Sequence, residues 1–285
     1  MTSKPKMENK VVVVTGATSG IGYFTALELA RMGAEVVLVG RNQEKCIASV
    51  GRIMTETGNQ KTSFFVADLS SLEDILSLAN QIKAKFDRLD VLVNNAGAFF
   101  SRRCVSTDNH EITLALNHLN YFYLTNLLLG LINESKAGRI VNVSSMAHFY
   151  GKINFDDLQS KNEYNSMGAY SNSKLANILF TYELARRLSP KNISVNTLHP
   201  GFVATNFGKS NGGIYHPIFG LAQLAAISPQ KGAETSIYLA SSPEVEGVTG
   251  KYFNKKKAVC SSDLSYNLQL AAQLWLVSEQ LTSLR

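Results

Sequence analysis

The chain has 285 residues, of which 45% are hydrophobic and 18% are charged. These proportions exclude a disordered chain, and the length suffices for one large domain with a sizeable core. The formal net charge is +6, but the basic residues are scattered apart from the run Lys255-Lys256-Lys257. We interpret that run as a solvated turn. Because no zinc-ligand spacing, RNA-binding signature or basic helix accompanies it, no nucleic-acid partner is expected.

The three cysteines and the N-terminal segment indicate the compartment. Cys46, Cys104 and Cys260 are far apart and odd in number, which favours a reducing environment over a disulfide framework. None has C-x-x-C spacing, so no metal is expected. The first ten residues are polar, and no apolar run is long enough to span a bilayer. The sequence therefore predicts a cytoplasmic protein without a secretory signal or a transmembrane segment.

Short β-branched runs alternate with longer helical stretches along most of the chain. Strands are predicted at 11–14, 36–39, 63–66, 91–93, 140–143 and 193–196, and helices at 21–32, 42–57, 70–86, 108–134 and 170–188. A capping box, Ser70-x-x-Glu73, is predicted to open the third helix. The alternation predicts an α/β fold, a single doubly wound Rossmann-type parallel sheet with helices on both faces. With no linker or repeat, we expect one dinucleotide-binding catalytic domain over residues 1–285.

Two segments depart from this alternation. Residues 206–229 combine glycines with apolar side chains, which is typical either of a mobile lid over a substrate pocket or of a packed loop. Residues 262–282 predict a C-terminal helix with an apolar face. That face could pack on the core, meet a second subunit or rest on a membrane, and packing on the core is favoured. A homo-oligomer and peripheral membrane contact are left open.

A glycine-rich turn, Thr15-Gly-Ala-Thr-Ser-Gly-Ile-Gly22, follows the first buried strand directly. Its glycines permit a tight turn and close approach of the backbone to a pyrophosphate, and the following helix offers free N–H groups at its positive end. The strand–turn–helix context is what such a phosphate-binding loop requires. The predicted cofactor-binding residues of this loop are Gly16, Thr18, Ser19, Gly20, Ile21 and Gly22.

The end of the second strand indicates which dinucleotide binds. An acidic residue there would hold the ribose 2′-hydroxyl of NAD, but this chain has Gly40-Arg41-Asn42. Arg41 can pair with a 2′-phosphate, which a carboxylate would repel. NADP(H) is therefore preferred over NAD(H).

Tyr170 and Lys174 are four residues apart on a predicted helix and share one face. A neighbouring ammonium should lower the tyrosine pKa and make the phenol a usable proton donor to a carbonyl oxygen. Tyr252 and Lys256 have the same spacing but lie on no amphipathic helix, so we interpret that copy as structural.

Polar residues follow the fourth and fifth strands, where ligands of open parallel sheets bind. Asn94 to Gly97 close the fourth strand and Ser144-Ser145 the fifth. Asn117, amid leucines in the helix between them, is either a satisfied core asparagine or a polar relay. His199 precedes Pro200 at a strand end and is interpreted as structural, whereas His148 could touch substrate but lacks an evident carboxylate partner. No G-x-S-x-G elbow surrounds either serine, so a serine hydrolase is not expected.

Together these residues resemble the short-chain dehydrogenase/reductase family from Lys10 to about Phe253. The motifs are T-G-x-x-x-G-I-G, Asp68-Leu69, Asn94 to Gly97, Asn117, Ser145, Tyr170-x-x-x-Lys174 and Pro200-Gly201. The resemblance implies that Tyr170 is the proton donor or acceptor and that Lys174 lowers its pKa and holds the nicotinamide ribose. It also implies that Ser145, rather than Ser144, orients the substrate carbonyl and that Asn117 supports a water leading to Lys174.

The same resemblance implies further cofactor contacts. Asp68 and Leu69 would meet the adenine, and Val203 and Thr205 would meet the carboxamide. The remaining implied cofactor-lining residues are Asn95, Ala96, Gly97, Pro200 and Gly201. Within the family, Leu175 to Thr181 and Asn117-His118-Leu119 look like the retinol-dehydrogenase-like branch, which usually has Gly and His where this chain has Asn120 and Tyr121.

The sequence thus predicts an NADP(H)-dependent oxidoreductase. It would transfer a hydride between nicotinamide and the carbonyl or alcohol of an apolar small molecule, such as an aldehyde, a ketone, or a retinoid-like or steroid-like compound. The competing hypothesis is an NADPH-binding regulatory or scaffold protein with little turnover, against which the complete Asn, Ser, Tyr and Lys set argues.

Overall fold

A computed structural model of the chain describes residues 7–189, 192–203 and 227–284. Its centre is an eight-stranded sheet in the order β3-β2-β1-β4-β5-β6-β7-β8. All neighbouring strands are parallel except β8, which runs antiparallel to β7. The strands are β1 (Val11–Thr15), β2 (Glu35–Gly40), β3 (Thr62–Val66), β4 (Val91–Asn94), β5 (Gly138–Val143), β6 (Ile193–His199), β7 (Lys251–Asn254) and β8 (Lys257–Val259).

Helices cover both faces of this sheet, as the alternating pattern predicts. They are α1 (Gly20–Arg31), α2 (Gln43–Thr57), α3 (Leu72–Lys85), α4 (Asn120–Asn133), α5 (Ser166–Arg187), α6 (Pro229–Ser241) and α7 (Leu268–Thr282). One apolar cluster joins Val11 and Val13 of β1 to α3, α4 and α5. The other joins Val12 and Val14 to α1, α2 and α6. Alternate side chains of one strand therefore enter two cores, which is why the first four positions of β1 are all valine.

The starts of α3 and α5 differ from the sequence prediction because local caps decide them. Ser71, not Ser70, caps α3 by accepting a hydrogen bond from Asp74 N, while the Ser70 hydroxyl donates to Asp68 instead. Asn165 caps α5, which begins at Ser166, four residues before the predicted start at Tyr170.

The predicted helix over 108–134 is also interrupted. An α-helical turn at Ile112–Leu114 leads into a π-helical segment, Ala115–Leu119, and only then into α4. A π-helical segment inside a helix is rare and frequently marks a functional site. Asn117 lies at its centre.

β7 and β8, which the sequence pattern did not reveal, form a hairpin around the lysine run. Lys255 and Lys256 have φ of 49° and 64° in its turn, so the interpretation of a solvated turn is confirmed. Tyr252 is buried in β7, and Lys256 pairs with Glu234 at 2.8 Å. The second Tyr-x-x-x-Lys copy is therefore structural, because its two side chains diverge.

The C-terminal helix α7 packs on α5 and on the end of α4. Ala271, Leu274 and Trp275 are buried there, and the Trp275 ring lies 4.9 Å from the Phe122 ring, between centroids. Packing on the core is thus confirmed for this face. In the described ranges, every helix falls short of the combination of length and hydropathy that a bilayer span requires.

Candidate active site

The loop between β1 and α1 leaves room for a diphosphate close to its backbone. Its glycines carry no side chains, and they cannot be replaced. Gly16 and Gly20 have φ of 65° and 58°, a left-handed conformation that side chains disfavour. A Cβ at Gly16 would lie 2.9 Å from Ala96 Cα, and one at Gly22 would overlap Gly16 O. The Ser19 side chain accepts no hydrogen bond from the first turn of α1, so the N–H groups of that turn face the loop uncapped.

The segment after β4 supports this loop rather than only lining it. The Asn95 side-chain amide donates to Thr15 O at 2.8 Å. The backbone N–H groups of Asn95 and Ala96 both donate to the Thr15 hydroxyl oxygen, at 2.9 and 3.0 Å. Thr15 was not singled out from the sequence, although its place at the end of a buried apolar strand was the available signal. Its hydroxyl fixes the distance between the two strand ends that border the cofactor site.

The end of β2, beside the glycine loop, carries an exposed cation. Arg41 follows β2 directly and is exposed, while Asn42 is engaged as the cap of α2. A Cβ at Gly40 would lie 2.6 Å from Thr18 Cγ2, so the side chain of Thr18 abuts the end of β2. Asp68 Oδ1 accepts from both the backbone and the hydroxyl of Ser70.

After β6 the chain returns towards the glycine loop. Pro200 leads into Gly201, whose φ is 91°. Val203 packs beside Gly232 of α6, where Ile21 of α1 also lies.

Three further residues predicted to line the cofactor lie elsewhere in the fold. Leu69, like Ala96, is buried, and Gly97 lies between Asn117 and Lys174. Thr205 and residues 206–226 of the predicted lid lie outside the described residues.

Ser145, Tyr170 and Lys174 converge beyond the carboxyl end of β5. A hydrogen bond from the Ser145 side chain reaches the Tyr170 phenol and favours its ionised form. Lys174 Nζ donates to Val143 O at 3.3 Å and lies 5.5 Å from the Tyr170 ring centroid. The Ser144 hydroxyl is buried and donates to Lys174 O at 2.7 Å. The second serine of the doublet is therefore the one beside Tyr170, as the family resemblance implies.

The pKa of Tyr170 is a correction to the sequence prediction. Burial raises it to about 12, and the hydrogen bond from Ser145 only partly opposes this. Burial also lowers the pKa of Lys174 to about 8. Because burial acts on both groups, the lysine does not bring the phenol into the neutral range by itself. The phenol stays protonated at neutral pH, the state that a proton donor requires.

Asn117 ties the π-helical segment to both sides of the site. Its Oδ1 accepts from Ala98 N at 2.9 Å, and its Nδ2 donates to Ala98 O and to Ser173 Oγ, both at 3.0 Å. A Cβ at Gly97 would lie 3.1 Å from Asn117 Oδ1 and 3.4 Å from Lys174 Nζ. The side chain is therefore a satisfied buried amide that sets the spacing of β4 and α5, and the ammonium lies close by.

Two histidines hold the backbone at Ser145 and Met146 by hydrogen bonds. His148 is buried; its Nε2 accepts from Ser262 N at 3.1 Å, so its Nδ1–H donates to Ser145 O at 2.7 Å. His199 Nδ1 accepts from Met146 N at 3.3 Å. Burial lowers the pKa of both rings, that of His199 to about 4, which keeps them neutral acceptors. Among the residues that the structure describes, no His, Cys, Asp and Glu side chains group as metal ligands.

Comparison with known proteins assigns the family. The sequence profile described as short chain dehydrogenase matches residues 10–213. The chain belongs to the short-chain dehydrogenase/reductase family.

Named relatives narrow the family assignment to one branch. Human retinol dehydrogenase 14 is 43% identical over 98% of this chain and 88% of its own length. Human polyprenol dehydrogenase is 39% identical over 98% and 86%. The protein is an oxidoreductase of the retinol-dehydrogenase-like branch, which acts on CH–OH groups of small molecules with a nicotinamide cofactor.

Solved structures share the fold. A putative uncharacterised protein from Mycobacterium paratuberculosis is 33% identical, with a TM-score of 0.80 over 99% of this chain and 96% of the other. A putative short chain dehydrogenase from Shigella flexneri in complex with NADP is 27% identical, with a TM-score of 0.71 over 90% and 100%.

Proposed function

We propose that this protein reduces the carbonyl group of an apolar small molecule with NADPH. The observation that carries the proposal is the convergence of Ser145, Tyr170 and Lys174 beside the glycine loop, with the Tyr170 phenol held in its protonated form. A protonated donor matches the reductive direction, in which a carbonyl oxygen must receive a proton. The reverse reaction, oxidation of the matching alcohol, uses the same groups.

The preference for NADPH rests on Arg41. This exposed guanidinium follows β2, the strand next to the glycine loop, and neither neighbour in Gly40-Arg41-Asn42 carries a carboxylate. A guanidinium pairs with a 2′-phosphate through charge-assisted hydrogen bonds. The Shigella relative in complex with NADP supports the same preference. The left-handed Gly16 and Gly20, which leave room for a diphosphate at the uncapped start of α1, fit the shared part of both dinucleotides.

The residues of the site define a mechanism. A nicotinamide held beside these residues would supply the hydride that the carbonyl carbon receives. Negative charge then develops on the carbonyl oxygen, towards which Ser145 and Tyr170 would both direct hydroxyl groups. Tyr170 transfers its proton to that oxygen, and the Lys174 ammonium stabilises the phenolate that forms. Because the Ser145 hydroxyl has one proton, it donates to Tyr170 again only after the product leaves, and a solvent proton then restores the phenol.

The proposed substrate class is apolar. The Phe99 ring packs edge-on against Tyr170, with centroids 6.0 Å apart. Met146 and Phe149, on the turn that follows Ser145, and Phe202, after β6, expose large apolar side chains. The names of the retinol and polyprenol dehydrogenases, which denote lipid alcohols, support the same class.

A screen of NADPH oxidation over matched carbonyls tests the proposal. The panel contains hexanal, decanal, benzaldehyde, all-trans-retinal and a steroid ketone. Because four added methylenes contribute on the order of 3 kcal/mol when fully buried, kcat/KM should be at least about tenfold higher for decanal than for hexanal. NADH in place of NADPH measures the cofactor preference in the same assay.

The outcomes separate the parts of the proposal. Equal kcat/KM for hexanal and decanal would remove the apolar substrate class but leave the chemistry. Equal or better use of NADH would remove the cofactor preference. NADPH binding without turnover of any carbonyl, or of the matching alcohols with NADP, would remove the activity itself.

A further inference from the structure

Tyr121 is a second tyrosine in the site, and none of the roles described so far uses it. Its side chain is fully buried, in the first turn of α4 and just after the π-helical segment that carries Asn117. Its hydroxyl donates to Val143 O at 3.3 Å, the same carbonyl that accepts from Lys174 Nζ at 3.3 Å. One backbone oxygen at the end of β5 thus receives donors from α4 and α5.

The ring of Tyr121 also approaches the lysine. Lys174 Nζ lies 5.9 Å from the Tyr121 ring centroid and 5.5 Å from the Tyr170 ring centroid. The ammonium is therefore in contact with two aromatic rings, and both distances are within the range of cation–π attraction. Since Lys174 is buried, the rings and the carbonyl replace part of the hydration of its ammonium.

We propose that Tyr121 is a positioning residue, which holds the Lys174 ammonium against Val143 O and stabilises its charge through the ring face. It does not touch the substrate. Its hydroxyl holds the ring at the end of β5, where the ring contacts the Lys174 ammonium.

The charges around the lysine are consistent with this role. The titratable groups that face Nζ among the described residues are Tyr170 from α5 and Tyr121 from α4; β5 contributes the Val143 carbonyl. Burial raises the pKa of Tyr121 well above its usual value, so its phenol remains a neutral donor at every working pH. Burial lowers the pKa of Lys174 to about 8, and the electron-rich ring opposes that effect.

Three substitutions at Tyr121 separate the contribution of the aromatic ring from that of the hydroxyl group. Tyr121→Phe keeps the ring and removes the hydroxyl, Tyr121→Met fills most of the volume with neither, and Tyr121→His restores an aromatic ring with an N–H donor. Tyr123→Met is the matched control, because Tyr123 is a buried tyrosine of the same helix. The readouts are the dissociation constants of NADPH and NADH and the pH dependence of kcat for the best carbonyl of the panel.

Loss of the ring should make Lys174 lose its proton at lower pH. We expect the alkaline limb of kcat to move down by about 0.5 to 1.5 pH units in Tyr121→Met, and the dissociation constants of both cofactors to rise by a similar factor, about three- to tenfold. The factor should be equal for NADPH and NADH because the lysine would contact the ribose that both share. Tyr121→Phe and Tyr121→His should keep the alkaline limb within about 0.3 pH units of wild type.

A wild-type alkaline limb and unchanged cofactor affinity in Tyr121→Met would overturn the proposal, as would equal shifts in Tyr123→Met. If Tyr121→Met does not fold, Tyr121→Phe decides: a limb lowered as far as one pH unit would show that the ring does not hold the charge. Because the binding readout uses two cofactors and no substrate, the result is independent of the proposed carbonyl class and of the preference for NADPH.

Discussion

The side-chain amide nitrogen of Asn117 lies 3.0 Å from the hydroxyl oxygen of Ser173. This hydrogen bond joins the π-helical segment to the helix that carries Tyr170 and Lys174, and Ser173 in turn donates to Tyr170 O at 2.7 Å.

Ser173→Ala should therefore lower kcat about three- to tenfold, because one buried hydrogen bond contributes on the order of 1 kcal/mol. Cofactor affinity should change less than twofold. Steady-state kinetics and cofactor titration measure both; an unchanged kcat would show that Asn117 needs no support from α5. Ser171→Ala, a buried serine of the same helix, is the control.

Tyr170→Phe should abolish turnover while leaving NADPH binding intact. In the proposed mechanism the phenol is the proton donor, and general acid catalysis contributes about 10²–10⁴-fold. The ring and its contacts with Phe99 and Lys174 are retained, so the dissociation constant of NADPH should stay within about twofold, a small free-energy change. Stopped assays for product measure turnover, and fluorescence titration measures NADPH binding. Residual kcat above one-tenth of wild type would assign the proton to another group.

Arg41→Ala should weaken NADPH and spare NADH. Charge-assisted hydrogen bonds to a phosphate contribute about 1.5–3 kcal/mol, so the KM for NADPH should rise roughly 10- to 100-fold, and that for NADH should change less than about twofold. Arg52→Ala, which removes an exposed arginine of the following helix, should alter neither. A parallel rise in both KM values would show that Arg41 acts on the loop rather than on a 2′-phosphate.

Buried histidines should make the fold sensitive to mild acid. Burial lowers the pKa values of His118 and His199 from 6.5 to about 4. Between those pH values the unfolded chain binds protons that the folded chain excludes, so their contribution is complete above pH 6.5 and is lost as the pH falls towards 4. Each histidine should lower the free energy of unfolding by about 1.4 kcal/mol per pH unit within this window.

Urea denaturation at several pH values between 7 and 5 measures that slope. His118→Gln keeps a polar group beside Ser278, the partner of His118 Nε2, but cannot titrate. It should therefore reduce the slope by the share of one histidine. An identical slope in His118→Gln and wild type would mean that His118 is accessible to protons in the folded state.

Trp275 and Leu276 are neighbours on α7 with opposite environments. Trp275 is 6% exposed among Phe122, Phe180 and the guanidinium of Arg187, whereas Leu276 is 55% exposed. Trp275→Ala should reduce the free energy of unfolding by about 3–5 kcal/mol, and Leu276→Ala by less than about 0.5 kcal/mol. Chemical denaturation of both variants tests this. A large loss in Leu276→Ala instead would show that this side chain is covered in solution, as by a second subunit.

Much of the cofactor site was readable from local pattern. The glycine loop, the absence of a carboxylate beside Arg41 and the Ser-Tyr-Lys set each depend on a few consecutive residues, and parallel strands bring their carboxyl ends to one edge of the sheet. The ends of helices were less predictable. Ser70 and Ser71 are both good caps, and only the loop entering α3 decided that Ser71 serves as one.

The chain's own sequence determined the parallel sheet, the glycine loop and the choice of Tyr170 and Lys174 as candidates, because hydrophobic periodicity, glycine spacing and the alternation of elements can be read along the chain. The tertiary structure alone decided their electrostatics. Burial raises the Tyr170 pKa where the spacing to Lys174 predicted a lower one, and burial depends on packing that no four-residue motif contains. The tertiary structure also decided that Val143 O, at the end of β5, receives donors from two helices. Tyr121 and Lys174 are far apart in sequence and meet only where α4 and α5 pack against β5.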